Sequence, residues 1–433
     1  MFTARCSSIL GLAAGAACTL AAPSAFALQP LSAFLGSARE YNFDRREDAA
    51  TVAQREADLA AARRGLLPVL TAKGQYTYNE YEAKVSLPAG TTKVTAVLSP
   101  QNEWDGFIMA SVPLVDLSSW ANVRSASLRH KAALAALEAT TVDVDEQVAR
   151  GYYDVLVNRA LATSAERVLA TDEANLAEVL VKRAAGTAEE LDVERAQASV
   201  ESSRQSVETA VYNVAVAERR LDTLSGLAPL PGGTLVDDDL HEEDPLETFS
   251  GTRTAKQIAA QLDENAQRSV EDQTRKRLLP TLSANGTEHF TNATGFADRN
   301  VFFQGMVTLS WTFDASLFSQ MASQHAASEG MAVRTARTAR AKDDDVYTSW
   351  LRVKVQIVTC RAARANAEST KLAYEIAKTR YAAGTAQQID LLQADRDAFS
   401  ADVTRIQTNG DLRYDRIALK LAAGRPTDQE ETP

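Results

Sequence analysis

The sequence predicts a mainly α protein with a small β part: long α-helical hairpins carrying four transmembrane β-strands per chain. Three observations predict it. The 433-residue chain repeats itself at a fixed offset, proline is absent from two long Ala-, Leu-, Glu- and Arg-rich stretches, and four short segments alternate with a period of two.

The repeat is explicit. Arg183-Ala184-Ala185-Gly186-Thr187-Ala188, then Leu191-Asp192, returns as Tyr381-Ala382-Ala383-Gly384-Thr385-Ala386, then Ile389-Asp390. Gly186 and Gly384 lie 198 residues apart, and the same offset relates Asp116 to Asp314 and Gly226 to Gly424. Leu66-Leu67-Pro68 returns as Leu278-Leu279-Pro280 at an offset of 212, so the first copy carries 14 extra residues before Asp116. That excess lies around Lys84 to Ser99. With Pro88, Gly90 and Pro100 it reads as a longer surface loop. A repeat of this length is a duplicated structural half, not a short solenoid unit.

Residues 1–27 read as an export signal: Arg5, an apolar Ile9 to Ala22, and Ala25-Phe26-Ala27 as the cleavage site. An alternative reading ends the signal at Cys18, which would then be lipidated. Residues 28–227 are the first repeat: a helix, a β-hairpin over 66–116 and a long helical hairpin over 118–226. A linker spans 228–250. The second repeat covers 251–424, with a helix, a β-hairpin over 278–314 and a helical hairpin over 316–423, and 425–433 form a tail.

Each element has its reason. No proline occurs from Leu114 to Ala228 or from Thr281 to Arg425 once Pro280 is passed. Ser118 to Ala185, as one helix, reaches roughly 100 Å at 1.5 Å per residue. Gly186 and Gly384 sit where such a rod must reverse, because glycine tolerates the left-handed C-terminal cap. In the first return helix Val207, Val214 and Leu221, interleaved with Ala210, Ala217 and Leu224, form a coiled-coil seam. The second copy is more polar there, with Arg405, Leu412 and Leu419 and with Thr408, Asp415 and Ala422.

The strands alternate. Val301, Phe303, Gly305, Val307, Leu309, Trp311 and Phe313 make an apolar face opposite a largely polar one, broken by Phe302 and Met306. Leu282, Ala284, Gly286 and Phe290 supply its hairpin partner. Trp104, Ile108, Ala110, Val112 and Leu114 give a third face, and Leu70 to Tyr81, with Tyr76 and Tyr78, a fourth. Apolar-out and polar-in alternation suits strands between lipid and water. Open sheet edges cannot face lipid, so four strands require a barrel shared between subunits.

Other chemistry is not signalled. His130, His241, His289 and His325 are scattered, no phosphate loop or nucleophile elbow is present, and nothing nominates a catalytic residue. No cofactor or metal is expected. A net charge of −11 argues against a nucleic-acid partner. The acidic run Asp237 to Asp244 reads as a solvated linker, with cation binding as the less favoured alternative.

These motifs, in this order and spacing, resemble TolC-type outer-membrane efflux proteins over nearly the whole chain. The matching residues are Leu66-Leu67-Pro68, Leu278-Leu279-Pro280, Pro113-Leu114-Val115-Asp116, the two Gly-Thr turns, and the endings at Gly226 and Gly424. The resemblance implies a homotrimer with a twelve-stranded barrel in outer-membrane lipid and a twelve-helix periplasmic tunnel. It implies an efflux or type I secretion duct that docks on a periplasmic adaptor and an inner-membrane transporter. By position, Asp192, Tyr381 and Asp390 are expected at the periplasmic gate, and Gly186, Thr187, Gly384 and Thr385 at adaptor-contacting hairpin tips. Ala386 stands where a latch arginine is expected and Gln393 where a second aspartate ring is expected, which predicts a looser gate. A periplasmic coiled-coil structural or adhesion protein is the alternative reading.

Overall fold

The computed structural model describes residues 28–89, 92–249, 251–295 and 299–425. The signal reading of residues 1–27, including Cys18, and the tail beyond Arg425 fall outside the described residues.

In chain order, α1 (Leu31–Tyr41) and α2 (Phe43–Arg64) lead into β1 (Val69–Tyr78). A small hairpin of β2 (Ala83–Ala89) and β3 (Thr92–Ser99) precedes β4 (Asn102–Val115). Then come α3 (Leu117–Ala184) and α4 (Glu190–Ser225). The second half follows with α5 (Leu246–Phe249), α6 (Ala255–Lys276), β5 (Thr281–Thr291), β6 (Val301–Ser310), α7 (Ser316–Ala382) and α8 (Gln388–Ala422).

The excess segment of the first half is not a plain surface loop. Lys84 pairs with Val97 and Ser86 with Thr95 across β2 and β3. Val85, Thr92, Val94, Thr95 and Val97 are β-branched and favour a pleated strand. Asn79 pins the base of this hairpin, donating to Ser99 Oγ at 2.8 Å and to Pro100 O at 2.9 Å.

α3 and α7, of 68 and 67 residues, are unbroken rods. Each starts on an equivalent aspartate: Asp116 accepts from Ser119 N at 3.0 Å, and Asp314 from Ser316 N at 2.8 Å. These acceptors satisfy donors that the first helical turn leaves free. The return helices are composite. α4 ends against α1 and α2, where Ser37 Oγ donates to Ser225 O at 2.7 Å and Asn42 Nδ2 to Leu224 O at 3.1 Å. Asn42 also caps α2, and α2 then takes over from α4 along α3. The same join recurs where Gly424, after α8, lies against Thr252 and Thr254 before α6. Four rods of roughly 100 Å therefore run side by side in one chain.

The core sits at these joins. Leu221 and its equivalent Leu419 are fully buried, the first among Phe34, Val148 and Val155 and the second among Phe249, Val353 and Cys360. α8 approaches α3 closely at Gly410, where an added Cβ would lie 2.1 Å from Val157 Cγ2. No described helix is long and apolar enough to cross a membrane.

The acidic linker is anchored, not merely solvated. Arg416 of α8 donates to Asp238 at 3.1 Å and 3.2 Å, to Glu243 at 2.5 Å and to His241 O at 2.8 Å. Asp238, Asp239 and His241 stand close enough to share a cation, and the Arg416 guanidinium already engages Asp238 and His241 there. Asn409 extends the clasp by accepting from Asp238 N at 2.9 Å and donating to Val236 O at 3.1 Å.

The main sheet has the order β1-β4-β5-β6, antiparallel throughout, with β1 and β6 as free edges. Leu70, Ile108, Val307 and Leu309 are exposed on one face, between Tyr76, Tyr78 and Trp104 at the loop end and Trp311 and Phe313 at the helix end. Trp311 also donates its indole N–H to Leu278 O at 3.0 Å, so the ring is apolar outside and satisfied at its polar edge. Glu288 shares this face by register, between Ile108 and Phe303. The opposite face carries Lys73, Gln75, Asn285, Thr287 and Gln304, with Phe107, His289 and Phe302 in one cross-strand row. His289 and Phe302 stack at 4.9 Å between ring centres.

Candidate functional site at the helical tips

The α3–α4 and α7–α8 turns are built alike. Gly186 and Gly384 take φ of 76° and 74°, the left-handed conformation that only glycine adopts without strain. Thr187 donates both its N–H and its hydroxyl to Lys182 O at 2.9 Å. Thr385 does the same to Arg380 O, at 2.9 Å and 3.0 Å. The amide bonds are the six-to-one closures of a Schellman cap, and the hydroxyls add a second donor to the same carbonyl.

Both sequence-predicted aspartates close the helix that follows. Asp192 accepts from Glu189 N at 3.3 Å and Asp390 from Gln387 N at 3.2 Å, each as the third helical residue of a capping box. A carboxylate here also meets the positive end of the helix dipole. Asp390 is exposed, and Asp192 is partly so, with Arg195 at 3.9 Å. Val179, Val193 and Ala196 form the small buried cluster that sets the first tip.

The two tips differ where it matters. At the first, Arg183 donates to Glu190 Oε1 at 2.6 Å across the turn. At the second, the equivalent positions hold Tyr381 and Gln388, which turn toward the first tip instead. Lys182 places its Nζ 3.8 Å from the Tyr381 ring centre, and Gln388 Nε2 donates to Asp192 O at 2.8 Å. Burial pushes the Tyr381 hydroxyl pKa up, with Glu178 and Asp192 adding to it and Lys182 opposing. Tyr381 thus reaches across to the tip that carries Asp192, and the direct link between the hairpins runs through Lys182 and Gln388 rather than through a Tyr381–Asp192 hydrogen bond. Sequence reasoning missed Lys182 and Gln388. The signal was present, because the 198-residue offset sets Arg183 over Tyr381 and Glu190 over Gln388, dissolving one ion pair.

Gln393, which is exposed, donates to Asp397 at 3.0 Å along α8. Around the tips lie exposed Leu180, Val181, Leu191 and Ile389.

The model of the outer membrane efflux protein family matches residues 34–227 and 257–425, one segment in each half of the chain. The chain belongs to that family. It is an outer-membrane efflux channel protein, not an enzyme, with its helical part in the periplasm. Solved structures share the fold. CusC superposes with a TM-score of 0.78 at 17% identity, covering 93% of both chains. The CmeC outer membrane channel of Campylobacter jejuni gives 0.78 at 16% identity, covering 93% of this chain and 88% of CmeC. The MtrE channel of Neisseria gonorrhoeae, in a structure described as the open state, gives 0.71 at 17% identity, covering 92% and 90%. No curated protein sequence matches the chain significantly.

Proposed function

We propose that three copies close a twelve-stranded barrel in the outer membrane and continue it as a twelve-helix periplasmic tunnel. The duct is passive. It opens when its tips dock on a periplasmic adaptor joined to an inner-membrane transporter, as the exit of a tripartite efflux pump. The observation that carries this reading is the pair of free edges, β1 and β6, beside an exposed apolar face. Unpaired strand edges in hydrocarbon cost several kcal/mol per backbone group, so the edge of one copy must meet that of the next.

Asp192, Tyr381 and Asp390 line the gate in this reading, and Gly186, Thr187, Gly384 and Thr385 present the turns to the adaptor. Lys182 and Gln388 join the inner hairpin to the outer one. With Ala386 and Gln393 in place of charged residues, these two contacts bear more of the closure.

Native mass spectrometry of an unheated detergent extract tests the assembly. A trimer of copies lacking residues 1–27 supports the shared barrel. A monomer or dimer that stays soluble without detergent overturns it and favours a periplasmic rod.

A further inference from the structure

Along α8, Gln388, Asp395, Asp402, Asn409 and Arg416 recur every seven residues, the spacing that keeps one face of a coiled-coil helix against its partners. All are buried except Asp402, which is half-buried. Four of the five have hydrogen-bond partners. Gln388 donates to Asp192 O, Asp402 accepts from Ser164 Oγ at 2.6 Å, and Asn409 and Arg416 hold the linker. Asp395 is 7% exposed, and among the described residues no hydrogen bond or ion pair reaches it. A buried carboxylate without a partner is costly unless it takes up a proton.

What faces Asp395 is a second carboxylate. From the Ser164–Asp402 bond, eight residues down α3 and seven down α8 lead to Asp172 and Asp395, about two turns each on the same seam. Asp172 is 2% exposed and accepts from Ser199 Oγ at 3.2 Å and from Ser203 Oγ, so α4 holds it in place. On α4, Arg204 lies 3.9 Å from Glu173, the neighbour of Asp172 in the chain. From α7 come Tyr374, Glu375 and Lys378, and from α8 itself Arg396, with neither cation within ion-pair distance of Asp395. Burial first, and then the Asp172 charge, push the Asp395 carboxyl up to about 6. Burial, and then the charges of Asp395, Glu375 and Asp172, push the Tyr374 hydroxyl up to about 12, so it remains protonated.

We propose that Asp172 and Asp395 form a proton-dependent clamp between the α3–α4 and α7–α8 hairpins. With Asp395 protonated, the two carboxyls pack across the seam without like-charge repulsion. Loss of that proton sets two buried carboxylates against each other and loosens the lower end of the helical part. The clamp stands on the seam geometry, and its consequence for conduction rests on the channel reading above.

The sign follows from linkage. A carboxyl whose pKa is raised in the packed state from its ordinary 3.8 favours packing fully below pH 3.8 and loses that contribution as pH rises through about 6. Raising the carboxyl from 3.8 to about 6 changes the packed-to-loosened ratio roughly fiftyfold per copy between pH 4 and pH 7.

Distance measurement between spin labels tests this. The chain from residue 28 onward, with Cys360→Ser so that no native cysteine remains, carries labels at Ala184→Cys and Ala382→Cys, both exposed at the helix ends. The expected result is a narrow, short distance at pH 4 and a growing longer population with a midpoint near 6. Asp395→Asn, whose amide can donate to Asp172, should stay short at every pH. Asp172→Asn should lower the midpoint by removing the like charge. A distance that ignores pH in the parent, or an Asp395→Asn variant that titrates like the parent, overturns the clamp. So does a short distance at pH 7.5 that EDTA abolishes and magnesium restores, because a bridging cation would then do the work. Planar-bilayer conductance of the same samples separates the two readings: a titrating distance without conductance keeps the clamp and sinks the channel.

Discussion

The ammonium of Lys182 stands 3.8 Å from the centre of the Tyr381 ring, tying the end of α3 to the end of α7. Such a contact contributes about 0.5–1 kcal/mol at a partly exposed site. Lys182→Gln or Tyr381→Leu should therefore raise the open fraction of the duct roughly two- to fivefold, read as closed-state conductance in planar bilayers. Tyr381→Phe keeps the ring face and should behave like the parent. Equal loosening by Phe would shift the role from the ring to the hydroxyl.

The face assignment of the sheet is tested by moving one charge across it. Val307 lies on the exposed apolar face and Gln304 on the polar one. Arginine on a lipid face costs about 2–4 kcal/mol near mid-depth. Val307→Arg should cut the yield of heat-stable trimers, whereas Gln304→Arg should assemble and reduce cation conductance. The reverse pattern would mean that the two faces are exchanged.

Close approach of α8 to α3 depends on the missing side chain of Gly410. A methyl group there meets Val157 Cγ2 at 2.1 Å, and overpacking of this kind costs about 1–3 kcal/mol. Gly410→Ala should lower the thermal midpoint, and adding Val157→Ala should restore most of it. Additive losses in the double variant would show that the two positions do not share the space.

Asp415 gives a second pH dependence, where α8 packs beside Arg352 of α7. It is 6% exposed, and burial pushes its carboxyl up to about 6, with Asp411 adding and Arg352 and Arg150 opposing. Because its pKa is raised, its own contribution to stability is fully present below pH 3.8 and is lost as pH rises through about 6. Asp415→Asn should therefore be more stable than the parent at pH 8, by roughly 1–2 kcal/mol once solvent screening and the lost Arg352 attraction are counted, with the gain gone below pH 4. Denaturant melts at the two pH values decide it.

Much of the architecture was legible because it rests on local periodicity. Val301 to Leu309 alternates strictly enough to name its two faces, and the proline-free stretches with their Gly-Thr turns mark both long hairpins. Val207, Val214 and Leu221 were readable as a seam, and in the structure Leu221 is buried and the two valines half-buried. The β2–β3 hairpin was not, because Pro88 and Gly90 signal irregular chain as readily as a strand pair. Long-range events left less trace. Arg416 entering the acidic run and α2 taking over from α4 depend on contacts between residues more than 170 positions apart. Asp172 and Asp395 look like any carboxylate on an Ala- and Glu-rich helix until the two hairpins face each other. At the tips, Asp192 and Asp390 were identified by position, but Lys182 and Gln388 required the packing of one half on the other.

The free edges of β1 and β6 have a genetic consequence. If a ring of three must close edge to edge, a copy with a sound β1 and a spoiled β6 can join a ring yet never complete it. Produced in equal amounts with sound copies, it would leave roughly one ring in eight free of defects. Such an allele would act as a dominant poison, silencing far more of the wild-type product than its own share.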